Sequence, residues 1–193
     1  MFLLQQHIQC GLVALGTVTF YHDGHINFSL EDKHSRKALA THDLFLERFN
    51  PVVAADFGNG EQLFILDIGS TVTVLSAAFY QEDKRIIDVA GAATLGLSGV
   101  GGSQAHPAYR IPSLIVMFAK SCAKVRDLSL LTGPTGDPDE FYGTVGETAL
   151  NSFPSFTLDF RRMHFSVNGG KPGHCSDSST LASTLLTKKS GCS

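Results

Sequence analysis

The chain has 193 residues, of which 43% are hydrophobic and 17% are charged, so it is long enough to bury one core and too short for two full-sized domains. Its 15 basic and 18 acidic residues give a formal net charge of −3 and are scattered along the chain, which argues against a surface for nucleic acid. The longest apolar stretches, such as 114–119, fall well short of the ~18 to 20 residues of a membrane-spanning helix. We therefore expect a soluble protein, and the 19 glycines favour a mostly β fold with many tight turns.

The N-terminal part of the chain is predicted to form a β-hairpin followed by a connector. Asp23-Gly24 separates two β-rich runs, and both residues tolerate the positive φ angles that a type I′ turn requires. From Glu31 the chain is charged and helix-permissive until Pro51, which disfavours helix in the residue before it. Residues 1–50 are therefore interpreted as a hairpin and a connector.

A second group of strands begins at Pro51. Residues 51–57 and 61–66 predict two strands around a turn, and the apolar run at the end of the second strand predicts that it is fully buried. Asp67 interrupts this run, and residues 71–75 resume it with the period of two that is typical of a strand. A carboxylate is therefore predicted in a turn between two buried strands.

The rest of the chain continues as short elements separated by turn residues. These elements are, in order, a segment around 93–97, a Gly-rich turn at 99–102, a strand at 114–118, an exposed loop at 132–139, a short helix at 147–151, and two closing strands at 155–160 and 163–167. After Asn168 the composition turns to Gly, Ser, Thr and Lys, which predicts a flexible tail over 168–193 because few apolar groups offset the entropy of ordering it.

The cysteines and the N-terminus leave the compartment unknown. The four cysteines lie far apart without a Cys-x-x-Cys pair, which argues against structural zinc, and a pairing of Cys175 with Cys192 stays open. Residues 1–10 lack Lys and Arg, and glutamines break their apolar run, so they make a poor secretory signal.

Asp67 is the candidate functional residue. An ionised carboxylate between two apolar strands is costly unless it is hydrogen-bonded or faces solvent. Asp67 is therefore either a turn residue that accepts hydrogen bonds from backbone amides or a functional acid. Its position alone leaves both interpretations open.

The sequence around Asp67 resembles the catalytic loop of retropepsin-like aspartic peptidases, in which two hydrophobic residues precede Asp, Thr or Ser, Gly, and Ala or Ser. Here residues 64–70 read Phe-Ile-Leu-Asp-Ile-Gly-Ser. Downstream, Val145-Gly146 and the helix-like residues after it resemble the family's second signature, which in that fold passes beside the catalytic loop. The glycine-rich run Gly99, Val100, Gly101 and Gly102 lies where the family carries its flap, a mobile hairpin that closes over bound peptide.

The resemblance implies a closed β-barrel lobe over 51–167 and an aspartic endopeptidase that uses no cofactor and no metal. Such an enzyme needs two neighbouring carboxylates, one ionised and one protonated, whose repulsion separates their apparent pKa values. Because the chain has one such motif, the resemblance implies a homodimer in which Asp67 of each copy activates water against an extended peptide or protein substrate. Gly69 would keep the backbone close to the carboxylate, and Ser70 would donate a hydrogen bond to it.

Ile68 departs from the family pattern. The family's Thr or Ser hydroxyl at this position hydrogen-bonds to the partner subunit's loop, and isoleucine has no hydroxyl. Replacing both symmetry-related partners with apolar groups can be nearly neutral for stability, but a small misplacement of the carboxylate can lower the rate ~100-fold. Two functions therefore stay open: an active aspartic endopeptidase, and a weakly active or inactive peptide- or protein-binding module on the same fold.

Other candidate sites are weaker. The run around Ser98 comes near the serine-hydrolase elbow, but Val100 takes the place of its last glycine and no strand-to-helix context follows. The same run lacks the Lys-Ser/Thr of a phosphate-binding loop. His22 and His25 flank the predicted turn and are expected to be exposed turn residues rather than metal ligands.

Overall fold

The computed structural model of the protein describes residues 16–29, 43–48, 50–99, 102–133, 141–169 and 171–172. The strands are β1 (Thr17–Tyr21), β2 (Ile26–Ser29), β3 (Leu44–Glu47), β4 (Asn50–Asp56), β5 (Glu61–Leu66), β6 (Val74–Leu75), β7 (Gly91–Gly99), β8 (Gly102–Phe118), β9 (Ser121–Leu131), β10 (Gly143–Val145), β11 (Ser155–Asp159), β12 (His164–Asn168) and β13 (Lys171–Pro172). The helical segments are α1 (Ala77–Glu82), a 3-10 helix (Lys84–Val89) and α2 (Glu147–Leu150). The predicted mostly β fold is confirmed.

Among the described residues, the larger sheet has nine strands and closes on itself. β9 pairs with both β6 and β8, so the path β9-β6-β10-β5-β4-β8 returns to β9, while β3, β7 and β13 add to its margins. β4 and β8 are joined through the pair Asp56 and Met117. Closure leaves few unpaired strand edges and encloses a core with aromatic contacts, such as Phe57 against Phe64 with ring centroids 5.0 Å apart.

In the part of the chain that the structure describes, the smaller sheet has four strands in the order β12-β11-β1-β2, and it contains the predicted N-terminal hairpin. The hairpin turns at Asp23-Gly24, where Gly24 has a φ angle of 89° and the Tyr21 N–H donates to the His25 carbonyl at 2.9 Å. β1 also pairs with β11 along its full length, and the Phe20 and Phe156 rings stack 4.9 Å apart. The hairpin is therefore joined to the C-terminal strands of the chain.

Several predicted elements differ from the structure. Leu44–Glu47, predicted as part of the connector, form β3, which pairs with β4. This strand has no clear alternation, because Leu44 is buried while the next three residues are exposed. Residues 71–73, predicted as strand, lie in the loop before β6. The pattern did not predict α1 or β9.

Other predictions fall outside the described residues. These are the secretory-signal interpretation of residues 1–10, most of the connector, the flap-tip residues Val100 and Gly101, residues 134–139 of the loop predicted at 132–139, and residues 173–193 of the tail predicted at 168–193, with Cys175 and Cys192. The predicted helix after Gly146 is confirmed as α2. Within the residues that the structure does describe, no helix has the length and apolar character to cross a membrane.

Candidate active site

The loop that carries Asp67 connects two strands with a third strand between them. β5 ends at Leu66, the loop follows, and β6 begins at Val74. β10 lies between them, parallel to β5 with Val145 beside Leu66 and antiparallel to β6. The backbone N–H of Asp67 donates to the Val145 carbonyl at 3.0 Å, so Asp67 is held directly beside the second sequence signature.

The Asp67 side chain has features of both interpretations left open by the sequence. Its Oδ1 accepts a hydrogen bond from the Gly69 N–H at 2.9 Å, and its carbonyl accepts one from the Ser70 N–H at 3.1 Å, as a turn residue would. The residue is nevertheless partly exposed. A carboxylate at a strand end, oriented by a backbone amide and open to solvent, is available for acid–base chemistry.

Gly146 allows the second signature to lie against the Asp67 loop. A Cβ atom at this position would sit 2.2 Å from the Val72 carbonyl oxygen and 2.7 Å from that of Ser70, so no other residue fits without a backbone shift. The next residue continues the contact, because the Glu147 N–H donates to the Ser70 carbonyl at 2.8 Å. The glycine predicted from the motif therefore has a steric reason.

Thr73 is a hydrogen-bonding centre that the sequence reasoning missed. It is fully buried, and its Oγ1 accepts hydrogen bonds from the Gly146 N–H at 3.0 Å and the Ala149 N–H at 3.2 Å. The same hydroxyl donates to the Gly146 carbonyl at 3.3 Å. The only signal in the sequence was a hydroxyl residue between two valines, Val72 and Val74. This alternation is typical of an ordinary strand, so it did not single out Thr73.

Ser70 and Ile68 differ from the roles that the resemblance implies. Ser70 was expected to donate to the Asp67 carboxylate, but its hydroxyl proton goes to the Val72 carbonyl at 2.9 Å, which fixes the shape of the loop instead. Ile68 is partly buried and packs against the main core. The loop is therefore stabilised from within its own chain.

The candidate flap is a long hairpin formed by β7 and β8. The two strands pair from Gly91 with Arg110 to Gly99 with Gly102, and Gly102 has a φ angle of 112°, a conformation that glycine adopts without strain. Near its middle, Leu95 and Leu97 pack with Val74, Ala108, Leu131 and Val72 in a second apolar cluster. Because Val72 and Val74 flank Thr73 on the Asp67 loop and β6, the hairpin contacts the candidate site.

The remaining sequence candidates lie apart from this loop or within regular strand. Ser98 lies within β7, without the strand-to-helix turn of a hydrolase elbow. His25 is exposed and its Nδ1 lies 2.9 Å from Asp23 Oδ1. The backbone N–H of His25 and then its side chain lower the pKa of Asp23 below the ordinary value of 3.8. Across the residues placed by the structure, no three His, Cys, Asp or Glu side chains are grouped as a metal site.

Comparisons with known proteins give similarity in fold. No protein-family model matches the chain, and no curated protein does. Among solved structures, the chain is similar to a retropepsin-like aspartic protease from Rickettsia conorii, with 18% identity over 58% of this chain and 79% of that chain and a TM-score of 0.39. It is also similar to the EIAV protease complexed with the inhibitor HBY-793, with 17% identity over 55% of this chain and 89% of that chain and a TM-score of 0.38.

Proposed function

We propose that the protein is an aspartic endopeptidase that works as a homodimer, with Asp67 of each copy forming the catalytic pair. The observation that carries this proposal is the placement of Asp67, whose backbone N–H donates to the Val145 carbonyl at 3.0 Å while the residue stays partly exposed. Asp67 follows β5, which is buried at Phe64 and Leu66 but not, as predicted, along the whole apolar run, because Leu63 is 39% exposed. A rigidly held acid that reaches solvent is suited to activating water.

The proposed reaction divides the work between the two copies of Asp67. The ionised carboxylate takes a proton from a bound water, and the resulting hydroxide attacks the scissile carbonyl carbon. The protonated carboxyl donates a hydrogen bond to the carbonyl oxygen. When the C–N bond breaks, the leaving amine takes up the proton that the other carboxyl removed from water, and that carboxylate is regenerated. Repulsion between neighbouring carboxylates keeps one of them protonated, which is why a single Asp67 is insufficient.

The substrate proposed is an extended peptide beneath the β7–β8 hairpin. Glycines at 99 and 102, on either side of the hairpin tip, permit bending. The apolar cluster of Leu95, Leu97 and Val74 places hydrocarbon surface between the hairpin and the Asp67 loop. Apolar side chains next to the scissile bond would be favoured there because they lose contact with water on binding.

A second candidate function rests on Ile68 and Ser70. The first packs its side chain on the core of its own chain, and the second donates its proton to Val72. Ile68 lacks the hydroxyl that the resemblance requires between partner loops, and the Ser70 proton goes to the Val72 carbonyl rather than to the Asp67 carboxylate. A protein that binds peptides in the proposed cleft beneath the β7–β8 hairpin without cutting them would have this arrangement.

Asp67→Asn, assayed beside the parent chain on an unfolded protein substrate at about pH 4 to 6, separates these functions. The matched control is Asp88→Asn, which removes an exposed carboxylate on the 3-10 helix. Cleavage by the parent and the control, lost in Asp67→Asn, supports the peptidase. Absence of cleavage by the parent supports the binding module.

The homodimer is tested by mixing. If chains exchange freely, an equal mixture of parent and Asp67→Asn contains about a quarter parent homodimer, so the activity per parent chain should fall to about half. Full activity per parent chain, or cleavage by a species that sediments as a monomer, would contradict the shared pair.

A further inference from the structure

A basic cavity of about 620 Å³ lies beside the Asp67 loop, between β7, β8, β9 and the C-terminal end of α2. Its wall includes Val72 and Thr148 together with the charged residues Arg110, Lys124, Arg126 and Asp127. This set of residues is called the basic cavity below. The proposed peptidase chemistry uses none of its charged groups.

The basic cavity borders the loop that carries Asp67. Val72 belongs to the Asp67 loop and accepts the Ser70 hydroxyl at 2.9 Å. Thr148 donates its hydroxyl to the Thr71 carbonyl of the same loop at 2.8 Å. A peptide that extends from Asp67 along this loop would therefore reach the cavity wall.

The charges in the basic cavity do not cancel. Arg110 is paired with Asp127, with Nη2 to Oδ1 at 2.9 Å and Nε to the same oxygen at 3.1 Å. Lys124 and Arg126 have no ion-pair partner among the residues that the structure describes. Three cations against one anion leave the lining with two positive charges, in a chain whose net charge is −3.

The arrangement of β9 keeps both cations pointing outward. Val125 is fully buried between exposed Lys124 and exposed Arg126, so strand alternation places the two basic side chains on the same outer face. Two nearby cations in a concave surface attract an anion more strongly than isolated surface charges do. A carboxylate is the anion that a peptide carries.

We propose that the basic cavity binds an acidic side chain of the peptide held in the cleft, so that the protein selects peptides with Glu or Asp some residues away from the scissile bond. This inference rests on the proposed function, since it needs a peptide in the cleft. The acidic residue lies away from the scissile bond because the surface next to Asp67 on the hairpin side is apolar. Charge-assisted hydrogen bonds from Lys124 and Arg126 provide the recognition.

The test measures binding to the Asp67→Asn chain, so that cleavage does not affect the result. The probes are fluorescein-labelled decapeptides with an apolar Leu-Phe centre, in which one Glu is placed at successive positions on either side, each paired with a Gln version. At its best position, the Glu peptide should bind up to about fivefold more tightly than its Gln partner by fluorescence anisotropy, the upper end of the ratio for exposed charge pairs. High salt should reduce the ratio.

Two variants assign the effect to the cavity. The Lys124→Gln/Arg126→Gln double variant should bind the Glu and Gln peptides equally, whereas Lys120→Gln, which removes an exposed cation in the turn between β8 and β9, should keep the preference. Equal binding of Glu and Gln peptides at every position, or an unchanged preference in the double variant, would overturn the inference and leave the proposed function standing.

Two further outcomes identify the source of failure. If inorganic phosphate raises the melting temperature of the parent but not of the double variant, and no peptide shows a Glu preference, the cavity serves a free anion and the peptide form of the inference is wrong. If no peptide binds at all and the parent cuts no substrate, the proposed function fails, and the inference fails with it.

Discussion

Thr73→Val should destabilise the protein strongly, although the two side chains have similar size. Thr73 is fully buried, and its hydroxyl is the acceptor for the Gly146 N–H at 3.0 Å. The Ala149 N–H, the other donor to this hydroxyl, also reaches the Gly146 carbonyl at 3.1 Å and so keeps a partner after the substitution. The main loss is therefore a buried Gly146 N–H left without its acceptor.

The magnitude follows from these contacts. A buried donor without a partner costs about 1 to 3 kcal/mol, and the longer bond from Thr73 to the Gly146 carbonyl adds about 0.5 to 1 kcal/mol. We expect the free energy of unfolding to fall by about 1.5 to 4 kcal/mol, a large part of the ~5 to 15 kcal/mol that domains of this kind possess. Because the valine fills the same volume, a cavity contributes little to this loss.

Urea unfolding followed by circular dichroism measures the change. All samples need the same chain concentration, since dissociation of a dimer makes stability depend on concentration. The matched control is Thr148→Val, whose hydroxyl makes one solvent-exposed hydrogen bond to the Thr71 carbonyl and should cost about 0.5 to 1 kcal/mol. Equal losses in the two variants would refute the argument that buried Thr73 joins the loop to β10 and α2.

Three further predictions concern packing, ion pairing and pH. Gly146→Ala should lower the melting temperature sharply or prevent folding, because its Cβ would lie 2.2 Å from the Val72 carbonyl oxygen. The control Gly91→Ala should change the melting temperature little, since no atom lies within 4 Å of the new Cβ. Similar melting temperatures for the two variants would count against the steric argument. Asp43→Ala should lower the free energy of unfolding by about 1 to 3 kcal/mol, because Asp43 Oδ1 accepts a hydrogen bond from the Phe165 N–H at 2.7 Å and contacts His164 Nδ1 at 2.7 Å. Asp43→Asn keeps an acceptor oxygen, so its free energy of unfolding should fall less in the same urea titration. His25→Ala should raise the pKa of Asp23, followed by NMR, by only part of its lowering from 3.8, because the backbone N–H of residue 25 is the larger cause and stays, while the side chain is lost. Since the fold favours the carboxylate form, this contribution to stability is lost as the pH falls through the pKa of Asp23. An unchanged titration midpoint would contradict the contribution of the His25 side chain.

The parts of the structure that the sequence predicted correctly depend on neighbouring residues. Asp23-Gly24 marked the turn between β1 and β2, and the apolar run before Asp67 marked β5. Turn chemistry and the strand tendency of consecutive apolar residues are written in short windows of sequence, whereas the exposure of Leu63 within that run is set by its surroundings. The element β3 was missed for the opposite reason, because its pairing with β4 rather than its own pattern makes it a strand.

The sequence by itself determined the motif residues of the candidate site, Asp67 and Gly146, and the kinds of element that carry them. Only the tertiary structure decided that β10 enters between β5 and β6 and that Thr73 becomes the buried acceptor joining them. It also brought Val72, Arg110 and Lys124 to one cavity from separate segments of the chain. Contacts between residues far apart in sequence leave no periodic signal, because each partner satisfies local rules on its own and the pairing is set by closure of the sheet.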